Sequence, residues 1–162
     1  MKLTIKKNPT GAKVYDENGE LVASIKNKPV ASKRLIENFR DKEQFSTLVK
    51  NGEDCIVLDE DGLTVVSGKI HFAPGRTIAS CGPVSTLIEF GEDAYIVKRT
   101  KGDNLIVEKQ ERDEDYKEYV IVSDAAGITT SVESNERMSV TTMLVIYIFA
   151  KYMYDARLTT LV

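Results

Sequence analysis

The feature that most constrains this chain is an apolar run close to its end, Met143-Leu144-Val145-Ile146-Tyr147-Ile148-Phe149-Ala150, inside the segment Ser139–Asp155. It has no polar face at helical spacing, and a helix that is apolar all round belongs in a core or a membrane. From Val140 to Tyr154 the stretch is 15 residues and is interrupted by Lys151. A membrane span needs about 20 apolar residues, so a tail anchor is the poorer reading and a buried core helix the better one. Ser139, or Ser134 one turn earlier, can cap its start. Leu158-Thr159-Thr160-Leu161-Val162 beyond it is strand-like.

The preceding sequence reads as short strands and tight turns. Val14-Tyr15-Asp16-Glu17-Asn18-Gly19, Val57-Leu58-Asp59-Glu60-Asp61-Gly62 and Val122-Ser123-Asp124-Ala125-Ala126-Gly127 share the pattern Val-x-Asp-x-x-Gly, each followed by apolar or β-branched residues. Val97–Gly102 repeats it with Arg99 in place of the Asp. Asp opens such a turn by accepting from backbone donors ahead of it, and Gly supplies the positive φ that closes a type I turn with a bulge. The ligand series and distal Glu of a calcium loop are missing.

Lys2–Lys7 alternates as a half-buried strand, and Arg76–Ser80, Val84–Phe90, Ala94–Arg99, Asn104–Lys109 and Tyr116–Val122 are further strands separated by Gly. Ser32–Leu48 is ambiguous: Ser32 can cap a short helix with Leu35, Ile36 and Phe39 on one face, or the stretch is a loop. About eleven or twelve strands exceed what an open sheet holds without curling. A closed barrel of that size is too wide for side chains alone to fill, and a helix about 22 Å long is the right filler. The expected fold is therefore mainly β (α+β): one domain over 1–162, an antiparallel closed barrel of about twelve strands around one central hydrophobic C-terminal helix.

The Asp16-Glu17-Asn18-Gly19-Glu20-Leu21-Val22 hairpin, the later Tyr119-Val120-Ile121-Val122-Ser123-Asp124-Ala125-Ala126-Gly127 and the closing apolar helix together resemble the tubby C-terminal-like superfamily. The likeness is greatest to its small single-domain members, the LURP-one-related proteins. It covers nearly the whole chain as an order of elements. It implies a twelve-stranded barrel around one helix, and a non-enzymatic binding or scaffold module. Tubby proteins bind phosphoinositides through surface Lys and Arg, so the resemblance also brings an anionic-lipid alternative. No family lipid contact aligns with a numbered position here.

Charge gives that alternative a location. The formal net charge is −3, which excludes a bulk basic field for nucleic acid. Residues 1–50 nevertheless carry 11 Lys/Arg against 6 Asp/Glu, and residues 51–162 carry 11 against 19. Lys26, Lys28, Lys33 and Arg34 are the densest cations and the candidate lipid- or anion-binding residues; the plainer reading is a solvated face.

Little else carries chemistry. His71, the only histidine, alternates with Ile70 and Phe72. A hydrolase would use it as base, but no Gly-x-Ser-x-Gly elbow accompanies it. Cys55, Cys81 and His71 have no zinc-ligand spacing, and no cofactor motif is present. The acidic run Glu111–Asp115 reads as a solvated loop. The helix tyrosines Tyr147, Tyr152 and Tyr154 read as core residues with bonded hydroxyls rather than as a ligand pocket. Two cysteines make no disulfide framework and no signal peptide opens the chain, so a cytoplasmic protein, peripheral at a membrane if it binds lipid, is expected. Anionic lipid or a protein is the expected partner.

Overall fold

A computed structural model describes residues 1–29, 33–52, 54–71, 86–90, 93–99, 104–109, 119–135 and 138–159. The fold is mainly antiparallel β with a single C-terminal helix. The strands are β1 (Lys2–Asn8), β2 (Gly11–Tyr15), β3 (Leu21–Asn27), β4 (Arg34–Asn38), β5 (Glu43–Lys50), β6 (Asp54–Leu58), β7 (Thr64–His71), β8 (Thr86–Phe90), β9 (Asp93–Arg99), β10 (Leu105–Lys109), β11 (Tyr119–Ser123) and β12 (Thr129–Ser134); the helix is α1 (Val140–Thr159). Each strand pairs with its neighbours in the chain, and β1 pairs in turn with β12 (Leu3 opposite Val132), so the order of hydrogen-bonded neighbours closes on itself.

Alternation sets the faces. In β1 the side chains of Leu3 and Ile5 are fully buried while Lys2 and Lys6 are exposed. Val14, Val107, Val120, Val122 and Val132 are likewise fully buried. They form one core cluster with Met143, Leu144, Ile146 and Phe149 of α1. Every residue from Met143 to Tyr147 is buried, as expected of a helix without a polar face. Ser139 caps it: its Oγ accepts from the Thr142 N–H at 3.0 Å. The helix runs on to Thr159, so Leu158 and Thr159 are helical rather than strand-like. An (i, i+4) ion pair between Lys151 and Asp155 supports this continuation.

Two of the three matching turns are built alike. Asp16 Oδ1 accepts from the N–H groups of Asn18 and Glu20, and Asp59 Oδ1 from those of Asp61 and Leu63. Gly19 and Gly62 close them with φ of 78° and 79°, and each turn is preceded by a register shift, at Val14/Tyr15 and Val57/Leu58. The third differs. Asp124, not Gly127, takes the left-handed conformation there, at φ 56°. Gly127 is favoured by close quarters instead, since a Cβ on it would lie 3.2 Å from the carbonyl oxygens of Asp124 and Thr129, a tight contact.

Residues 34–38 and 43–48 are strand, joined by a turn, and none of them is helix. Leu35 pairs with Lys26 on one face and Ile36 with Ile25 on the other, while Phe39 sits in the turn, 46% exposed. The local reason is the turn itself. Asn38 Oδ1 accepts from the N–H groups of Arg40 and Asp41, and Lys42 takes φ 56° to send the chain back as β5. Ser32, the strand at Arg76–Ser80, the end of the weaker Val97–Gly102 repeat, Cys81 and the Glu111–Asp115 run lie outside the described residues.

Candidate binding site

Because the strands follow one another, successive turns alternate between the two ends of the sheet. The β1–β2, β3–β4, β5–β6 and β11–β12 turns share one end with the later turns of α1. The β2–β3, β4–β5 and β6–β7 turns share the other with its first turn.

The first end gathers cations. Lys26, Lys28, Lys33 and Arg34 all belong to the β3–β4 hairpin, whose turn is closed by Lys28 N–H donating to the Lys33 carbonyl at 3.2 Å. Their surroundings differ. Lys26 is exposed and bound to Glu37 at 3.0 Å; that ammonium, with the Ser24 hydroxyl, holds the Glu37 carboxyl below its ordinary range. Lys28 is exposed and Lys33 half-buried. Arg34 pairs with Asn27 and Thr47, alternates with buried Ile36, and turns into the sheet, its Nη1 donating to the Lys33 carbonyl.

Arg34 there meets two cations that the composition of the N-terminal third does not single out. A cavity of about 270 Å³ is lined by Arg34, Lys7, Lys151, Asp155, Tyr147 and Tyr152 among others. Lys7 is the third inward position of β1, after Leu3 and Ile5, so alternation points to it. Its Nζ donates to the carbonyls of Ala125 at 2.6 Å and Gly127 at 2.7 Å. Burial, then the Lys151 charge, lowers its pKa. Lys151 is the residue that interrupts the apolar run. Tyr147 is 4% exposed; burial pushes its hydroxyl up to about 12, against the opposing effect of its hydrogen bond with Thr130.

The second end is apolar and acidic. A cavity of about 690 Å³ lies between the start of α1 and strands β5, β6, β7 and β9, lined by Phe45, Val57, Val66, Tyr95, Val145 and Ile146, with Glu43, Ser139 and Thr142 adding polar groups. Leu21, Phe39, Leu63 and Val65, at the same end of the sheet, are 45%, 46%, 66% and 50% exposed, and Val65 lines the cavity.

His71 closes β7 opposite Leu87, at the cationic end; the position of its imidazole lies outside the described residues. Among the described residues no group of three or more His, Cys, Asp or Glu is placed to hold a metal ion. Cys55 is a free, fully buried thiol, pushed up to about 12 by burial. No described helix is long and apolar enough to cross a membrane. Comparison with protein-family models, curated proteins and solved structures gives no match for this chain.

Proposed function

We propose that this protein is a non-enzymatic binding module of the tubby-like kind, a barrel around α1 whose cationic end engages an anionic surface, that of phosphoinositide-type membrane lipids. One observation carries the reading: Lys7 of β1, Arg34 of β4 and Lys151 of α1 converge on one cavity, where Asp155 pairs with Lys151 and offsets a single charge, with exposed Lys28 and Lys50 and half-buried Lys33 at the same end. A chain of net charge −3 thereby acquires a local positive field. Each Lys or Arg near an anionic membrane adds about 1 kcal/mol of attraction, screened within a Debye length.

The test is co-sedimentation with anionic and with neutral vesicles at low and physiological salt. Replacing Lys28, Lys33 and Arg34 by Ser removes about 3 kcal/mol, a loss of roughly 100-fold. Lys26→Ser has a smaller effect, because Glu37 already neutralises Lys26. No sedimentation with anionic vesicles at low salt would refute the reading.

A further inference from the structure

We infer that the opposite end of the sheet is a docking site for a basic segment of a partner protein, which seats one large apolar side chain in the cavity at the start of α1. The cavity, about 690 Å³, lies in the range of sites that hold organic ligands and side chains. Its walls are the apolar faces of Phe45, Val57, Val66, Val145 and Ile146, so it accepts a Leu, Met or Phe and repels a charge.

The rim says what surrounds that anchor. The turns and strand ends at a sheet's edge normally carry polar residues, yet Phe39 and Leu63 in turns, Leu21 at the start of β3 and Val65 near the start of β7 stand exposed here, four of the six large exposed hydrophobic residues among those described. The β2–β3 and β4–β5 turns, beside Leu21 and Phe39, brace one another. Phe39 N–H donates to the Val22 carbonyl at 2.8 Å, and Arg40 of the β4–β5 turn pairs with Asp16 of the β2–β3 turn at 2.6 Å. Exposed apolar side chains gathered at the end of the sheet that holds an apolar cavity, with Val65 both exposed and lining it, mark an interaction surface.

Charge selects the occupant. The segments 16–20, 39–43 and 59–63 carry eight carboxylates and two cations, among them exposed Glu20, Glu60 and Asp61. An anionic membrane is repelled by this end. A small neutral molecule would fill the cavity and leave the apolar tips and carboxylates uncovered. From β3 to β7 there are four strand spacings, about 19 Å, which about six extended residues cross. A short segment with Lys or Arg on both sides of its apolar anchor therefore covers cavity, rim and carboxylates together. This surface is independent of the lipid reading, which concerns the other end.

The experiment is fluorescence anisotropy with a labelled synthetic peptide in which lysines flank a central Leu-Phe pair, at about 50 mM salt, where screening is modest. Two control peptides carry Glu for every Lys, or Ser-Ser for Leu-Phe. Two variants alter only exposed side chains: Glu20→Lys with Glu60→Lys and Asp61→Lys, and Phe39→Ser with Leu63→Ser. The Lys peptide is expected to bind, the Glu peptide not to bind, and the Ser-Ser peptide and both variants to lose about tenfold or more, the equivalent of 1.4 kcal/mol. The Phe39→Ser, Leu63→Ser variant, which changes no charge, keeps its anionic-vesicle binding, so failure here and failure of the lipid reading are separable. Absence of binding by the Lys peptide, or equal affinity for the Ser-Ser peptide or by either variant, overturns the inference. So does self-association of the protein, seen by sedimentation velocity and abolished by the same charge reversal. That outcome would put in the site the cationic end of a second copy, where Ile128 is 77% exposed.

Discussion

Asn38 is the hinge pin between the sheet and its helix, and replacing it by Leu tests whether that junction is held by polar bonds or by packing. The residue is 2% exposed. Its Nδ2 donates to Asp41 Oδ2 and to Thr141 Oγ1, both at 2.9 Å. Its Oδ1 accepts from Arg40 N–H at 3.1 Å and from Asp41 N–H at 3.2 Å. Each bond is worth a net of about 1 kcal/mol. The turn N–H groups lie beside solvent and recover part of the loss, so Asn38→Leu should cost about 3 kcal/mol. For a domain of this length that lowers the melting temperature by about 6–12 °C. Asn38→Asp keeps the acceptor for the two N–H groups but loses both donations and sets a carboxylate against Asp41. It should be destabilising at neutral pH and partly relieved in acid. Thermal unfolding with a double-mutant cycle against Thr141→Val isolates the link to the helix, with an expected coupling of about 1 kcal/mol. A melting temperature for Asn38→Leu within about 1 °C of wild type, or strict additivity with Thr141→Val, would refute the reasoning.

Gly11→Ala should prevent folding or cost about 3 kcal/mol or more, because its Cβ would lie 1.9 Å from the Ile25 carbonyl oxygen; Gly19→Ala and Gly62→Ala, which meet nothing within 4 Å, should cost only the left-handed backbone penalty of about 1–2 kcal/mol, as measured by denaturant titration. Thr47→Val should raise the melting temperature by about 2–4 °C, since the Thr47 Oγ1 is buried without a hydrogen-bond partner and the substitution keeps the shape. Burial holds Cys55 and Tyr147 in their neutral forms, with pKa values of about 12 against 9.0 and 10.0. The unfolded chain therefore releases these protons first, and stability falls as pH rises from about 9 to 12, by up to roughly 1.4 kcal/mol per unit for each group. Tyr147→Phe should flatten the part of that slope above pH 10, as read by urea unfolding at stepped pH.

Much of the fold was legible because it is locally encoded. The Asp16 and Asp59 turns follow from side-chain acceptors and a left-handed Gly within five residues of one another. The helix follows from the absence of any polar stripe. The β4–β5 hairpin was not legible, because Leu35, Ile36 and Phe39 fit a helical face as well as a strand and the deciding group, Asn38, works through the turn that follows it. The candidate sites were legible only in part. Counting charges along the chain separates an N-terminal third from the rest, but the sheet sorts charge by the parity of its turns. Lys7 and Lys151 come from opposite ends of the sequence, and only the strand order and the seating of α1 bring them beside Arg34. The apolar cavity left no mark at all, since its walls are ordinary core residues from several strands.

The placement of α1 after all twelve strands has a consequence for how the molecule is made. Consecutive pairing means that nearly every hairpin can form from neighbours in the chain as they emerge. Two events cannot be local. β1 must wait for β12, and the inward faces of all the strands must wait for the helix that covers them. Until then the nascent chain is a ribbon of hairpins with one apolar surface wet and two open edges, the state most exposed to edge-to-edge association. The entropic cost of joining β1 to β12 is met, and offset by burial, in a single late step. The pause before that step, rather than the stability of the finished protein, is where a chain of this order is most dependent on chaperones.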